Sequence, residues 1–81
     1  MKTEFIESTI NDFIKVSETK NSNELENIIN KIDDCIGVNK EIKNYYVNYE
    51  LIFGDKNAYV INLALLDNQD NLESINFIYE V

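Results

Sequence analysis

The sequence predicts an α+β fold in which two N-terminal helices, an αα-hairpin, pack on one face of a three-stranded antiparallel meander (ααβββ). Three observations predict it. Apolar residues recur at helical spacing up to about residue 36 and at every second position after Lys40. The striped segments are separated by polar runs as short as helix–helix and hairpin connections are. The chain has 81 residues, the size of one domain spanning 1–81. A chain this small buries roughly 60–65% of its unfolded surface, so its core must be thin and contiguous.

The first helix is expected over about 3–17. Phe5, Ile6, Thr9, Ile10, Phe13 and Ile14 form one stripe, with Glu4, Glu7, Asn11, Lys15 and Glu18 opposite it. Glu4 and Glu7 sit in the first turn, where acids complement the helix dipole. The polar run SETKNSN, residues 17–23, reads as a helix–helix connection. A second helix follows over about 23–36, striped by Leu25, Ile28, Ile29, Ile32, Cys35 and Ile36. Asn23 with Glu26 gives it a capping-box-like start. Gly37 stands where a left-handed residue would end it, and Val38 is placed for the apolar contact that accompanies such an end.

Strands are expected over about 42–53, 57–66 and 72–81. Gly54–Lys56 and Asp67–Asn71 carry the turn chemistry between them. A three-residue first loop places Val47 opposite Leu63, Tyr49 opposite Ile61 and Leu51 opposite Tyr59. A five-residue second loop places Leu63 opposite Ile75, Ile61 opposite Phe77 and Tyr59 opposite Tyr79. These registers put the large apolar residues on one face, and a slip of one residue would turn them outward. The helices must cover that face.

The same registers line up Asn48, Asn62 and Asn76 across the other face, with Tyr46, Ile52, Val60 and Ile78 around them. A mixed polar and aromatic face has the composition of an interface core. The first and third strands are both sheet edges.

Net charge is -8, from 15 acids against 7 lysines, with no Arg and no His. This disfavours direct binding to nucleic acid or to anionic membranes, and suits a protein partner with a basic surface. Asp67, Asp70 and Glu73 are expected to gather at one end of the sheet as a negative patch for such a partner.

Catalytic groups are sparse. Without His there is no His-based triad or imidazole metal site. Gly37 and Gly54 are the two glycines, and neither lies in a phosphate-cradling motif. Cys35 reads as a core residue whose acidic neighbours Asp33 and Asp34 raise its pKa. DNQDNLE lacks the glycine and the ligand spacing of a calcium loop. A pocket of about 300 Å³ or more, as a small ligand needs, is not expected beneath so thin a helical layer. The expectation is a non-enzymatic protein without metal or cofactor.

One cysteine excludes an internal disulfide, the N-terminal residues do not read as a signal peptide, and no apolar run reaches membrane-spanning length. The expected location is the cytoplasm. Lack of Arg, Pro, His and Trp beside abundant Asn, Ile and Lys is the composition of an AT-rich bacterial, phage or plasmid genome. These features together suggest a small acidic protein-binding module. Its most concrete form is a phage or mobile-element inhibitor, of the anti-CRISPR or other anti-defence type, that masks a basic nucleic-acid-binding surface on its target. An immunity protein that neutralises a toxin is one alternative. A structural, self-assembling module, a homodimer for instance, is the other.

Overall fold

The computed structural model describes residues 3–17 and 23–81. In chain order the elements are α1 (Glu4–Val16), α2 (Glu24–Gly37), β1 (Ile42–Ile52), β2 (Ala58–Asp67) and β3 (Leu72–Glu80). The sheet is antiparallel in the order β1-β2-β3. Two helices on one face of a three-stranded meander is the predicted architecture. Most of the 17–23 connection lies outside the described residues.

The registers agree pair for pair. Val47 faces Leu63, Tyr49 faces Ile61 and Leu51 faces Tyr59, while Ile61 faces Phe77 and Tyr59 faces Tyr79. The core joins Ile6, Ile10 and Ile14 of α1 with Leu25, Ile28, Ile32, Cys35 and Ile36 of α2. From the sheet it takes Ile61, Leu63 and Leu65 of β2 and Ile75, Phe77 and Tyr79 of β3. Each fully buried aliphatic side chain contributes roughly 1.5–3 kcal/mol of transfer free energy. Phe5, expected in the α1 stripe, is exposed instead.

No residue of β1 is fully buried. Its odd-numbered residues share the core side of the sheet, yet Tyr49 keeps 54% of its surface in water and Phe53, just past the strand, keeps 75%. Element length is one cause. Eleven strand residues reach about 36 Å, whereas fourteen helical residues reach about 21 Å. Tyr45 meets α2 near its C-terminal end, donating its hydroxyl proton to Asp33 Oδ1 at 2.9 Å. Tyr49 lines a shallow groove with Leu25 and Ile29 at the other end of α2. Leu51 and Phe53 continue beyond it.

Two helix-end expectations are corrected. The Asn23 side chain makes no capping hydrogen bond, because its backbone is already helical (φ -68°, ψ -26°). Gly37 is the last residue of α2, and no glycine has positive φ. Asn39 N–H closes the end by donating to Ile36 O at 2.9 Å. A Cβ at Gly37 would have nothing within 4 Å. Gly37→Ala is therefore expected to stabilise the protein by about 0.4–1 kcal/mol, through a less flexible unfolded chain. A left-handed cap would give the opposite sign. Urea unfolding of the variant decides, and a lower midpoint would contradict the observed backbone.

Candidate functional site

Both helices lie on one side of the sheet, so the even-numbered strand residues form a face that no helix covers. Strand pairing sets Asn48 opposite Asn62 and Asn62 opposite Asn76. The predicted asparagine row therefore exists, with a side chain contributed by every strand. Tyr46 is opposite Ala64, which faces Ser74, and Val60 is opposite Ile78. Tyr46 and Ile78 are 66% and 63% exposed, while Asn62 and Val60 at the centre are half-buried. Small residues at Ala64 and Ser74 leave the Tyr46 ring proud of the surface. The outcome is a field of amides between an aromatic and an aliphatic side chain. Such a surface can hydrogen-bond through both amide groups and exclude water at its two apolar ends.

The acidic patch expected of Asp67, Asp70 and Glu73 does not assemble in that form. Asp67 ends β2 with only 1% of its surface exposed. Its Oδ1 accepts from the backbone N–H groups of Gln69 (2.9 Å) and Asn71 (2.8 Å), and its Oδ2 accepts from Asn71 Nδ2 at 3.0 Å. The Asn71 side chain and then the backbone bonds hold its carboxyl below the usual carboxylate range, against the opposing pull of burial. In sequence, an aspartate in a run of Asn, Gln and Asp looks like solvated surface charge. The distinguishing signal was its place as first residue of a tight turn, where Asp commonly bonds the backbone two residues on. Asp70, at φ 63°, occupies the left-handed position of that turn. Its Oδ1 lies 3.1 Å from Lys43 Nζ, so a lysine of β1 offsets its charge. Glu73, opposite Leu65, is half-buried.

Cys35 is buried in α2. Burial pushes its thiol pKa up, Lys31 opposes the shift and Asp34 adds to it. A thiol held protonated in this way is a poor nucleophile. Among the described residues no group of His, Cys, Asp or Glu is arranged to hold a metal ion. Nor is any helix of the described residues long and apolar enough to cross a membrane.

Several open depressions reach the size that the sequence did not lead us to expect, among them the groove of about 300 Å³ between α2 and β1 at Leu25, Ile29 and Tyr49. An open depression of about 710 Å³ lies where the end of α1 meets the end of β3, lined by Ile14, Lys15, Lys56, Ile78, Glu80 and Val81. It arises at the margin of the two layers rather than between them. Ile78 forms part of its rim, so the depression adjoins the asparagine face.

The sequence reading also missed the exposed rings of β1. Tyr49 is expected inside from its pairing with Ile61, and Tyr45 and Phe53 share its parity. Parity fixes the side of the sheet, whereas coverage depends on where the helices lie. No protein-family model, curated protein or solved structure matches the chain.

Proposed function

We propose that this chain is a binding module that acts by occupying the surface of another protein through the helix-free face of its sheet. The observation that carries this reading is the asparagine row itself. Three amides in register, bounded by the exposed Tyr46 and Ile78, form a surface that the fold leaves uncovered. In a protein of net charge -8, the partner of matching chemistry carries a basic surface. The concrete form we favour is an inhibitor that shields a nucleic-acid-binding site, drawn to that basic surface by the net negative charge of the chain. Nothing in the reading requires chemistry on the partner.

The test is capture of a partner from the native host by the tagged chain, followed by titration of that partner with surface variants. Tyr46→Ala together with Ile78→Ala is expected to weaken binding at least about tenfold while leaving the unfolding midpoint nearly unchanged. Affinity is also expected to fall as salt rises from about 0.01 M to about 0.15 M, as the Debye length contracts from roughly 30 Å to 8 Å. Binding indifferent to both substitutions would move the interface elsewhere. Binding indifferent to salt would remove the electrostatic part.

A further inference from the structure

We propose that β1 pairs with β1 of a second copy of this chain, antiparallel about Asn48, to make one continuous six-stranded sheet. The inference concerns the sheet edge and does not depend on what binds the asparagine face.

Backbone geometry identifies which groups β1 offers. Asp67 N–H donates to Asn71 O and Val81 N–H donates to Asn57 O, both at 3.0 Å, so odd-numbered residues of β2 bond toward β3. Antiparallel alternation then directs the even-numbered residues of β2 toward β1. Asn68 N–H donates to Glu41 O at 3.2 Å, in keeping with that parity. The β1 partners of those even residues are themselves even-numbered. Val47, Tyr49 and Leu51 consequently aim their N–H and C=O groups away from the sheet. Tyr45 does likewise, and its N–H is met by the adjacent Asn44 Oδ1 at 2.8 Å.

On the core side of the sheet, this edge and the residue just past it leave three rings partly in water. Tyr45, Tyr49 and Phe53 expose 39%, 54% and 75% of their surface, roughly 300 Å² of ring. The opposite edge differs. On β3 the core-side residues Ile75, Phe77 and Tyr79 are all buried, so pairing there would bury no comparable ring. Apolar gain therefore selects β1.

A second copy fits this edge by its own symmetry. Pairing about Asn48 sets Val47 against the partner's Tyr49 and Tyr45 against the partner's Leu51. On the other face it sets Tyr46 against the partner's Glu50 and Asn48 against its own counterpart, which extends the asparagine row across both copies. Lys43 and Glu50 are the charged residues of β1. In this register neither faces a like charge, and the two Glu50 residues stand roughly 14 Å apart. The two-fold contact closes on itself and leaves β1 no free edge from which to grow a filament. The contact falls below the roughly 800 Å² per partner of a standard interface, so a dissociation constant in the tens of micromolar is expected.

Sedimentation equilibrium at roughly 100 µM chain reads this directly. The wild type is expected to dimerise more strongly at about 0.15 M salt than at about 0.01 M, because two bodies of charge -8 repel less when screened. That salt dependence is opposite to the one expected for a basic partner. Tyr49→Lys, which puts a charge at a half-exposed site, and Val47→Pro, which removes an outward N–H, should each weaken the dimer at least about tenfold. Ile78→Ala should leave it intact. Under oxidising conditions Asn48→Cys should cross-link, because a directly opposed pair that exchanges no hydrogen bonds has Cα atoms about 4.5 Å apart, within disulfide reach. Asn76→Cys should not cross-link. If Val47→Pro fails to fold, Tyr49→Lys and the cross-link still decide. A wild type monomeric at both salts overturns the proposal, as does a dimer that tolerates Tyr49→Lys or fails to cross-link through Asn48→Cys.

Discussion

Phe77→Ala is expected to destabilise the protein by about 3–5 kcal/mol, and Tyr49→Ala, measured on dilute protein, by less than about 1 kcal/mol. The two side chains flank Ile61 on neighbouring strands and share one face of the sheet. Sequence alone gives them equal standing. Their surroundings separate them. Phe77 is 1% exposed and sits in the cluster with the isoleucines of both helices, so removing its ring leaves a cavity as well as losing transfer free energy. Tyr49 already spends half its surface in water, and its principal ring contact is an edge-on approach to Tyr59 at 5.8 Å. A domain of 81 residues has roughly 4–12 kcal/mol of stability in total, so Phe77→Ala can approach complete unfolding. Phe77→Leu, a smaller deletion at the same place, then provides the measurable step. Urea midpoints give the comparison. Equal losses at the two positions would mean that the helices cover β1 as fully as β3. At high concentration the Tyr49→Ala loss should grow, since any dimer the wild type forms adds stability by mass action.

That contrast also marks how far the sequence could be read. Alternation and turn length were enough to set all three strands in register, because one buried face leaves a single acceptable alignment. The asparagine row followed from the register and is present. The contents of the core followed for β2 and β3. For β1 they did not, since a period-two pattern says nothing about how far a helix reaches along a strand. Local signals failed where the backbone chose another geometry. Asn23 and Gly37 are residues with strong end preferences, yet both adopt negative, helix-like φ or lie within the helix itself. Asp67 erred the other way. Its carboxylate was read as free charge for a partner, and the turn it begins has consumed it. The exposed rings of β1 became visible only once the helices were placed, because exposure depends on which part of the strand they cover.

Among the carboxylates, Asp67 is expected to dominate the acid limb of the stability curve. Its folded pKa is depressed, first by the Asn71 side chain and then by backbone N–H groups, while in the unfolded chain it titrates near about 3.9. A group of this kind adds stability above its unfolded pKa and loses that contribution as pH falls through the folded value. The window therefore opens at about pH 4 and extends downward. Asp67→Ala removes the three hydrogen bonds described to its carboxylate and should lower the urea midpoint at neutral pH. Asp67→Asn keeps an oxygen for the Gln69 and Asn71 N–H groups, but points an amide donor toward Asn71 Nδ2. It should fall between wild type and alanine at pH 7 and draw level with the wild type as the pH drops below the folded pKa. Because β2 and β3 join at this turn, and Leu66 pairs with Leu72 immediately inside it, fraying there would propagate toward Leu65 and Ile75. Urea midpoints of the three proteins from about pH 7 to about pH 2 test this. Parallel loss of stability in wild type and Asp67→Asn across that range would show that Asp67 has the same proton affinity in the folded and unfolded chain, and that its bonds to the turn contribute nothing through its charge.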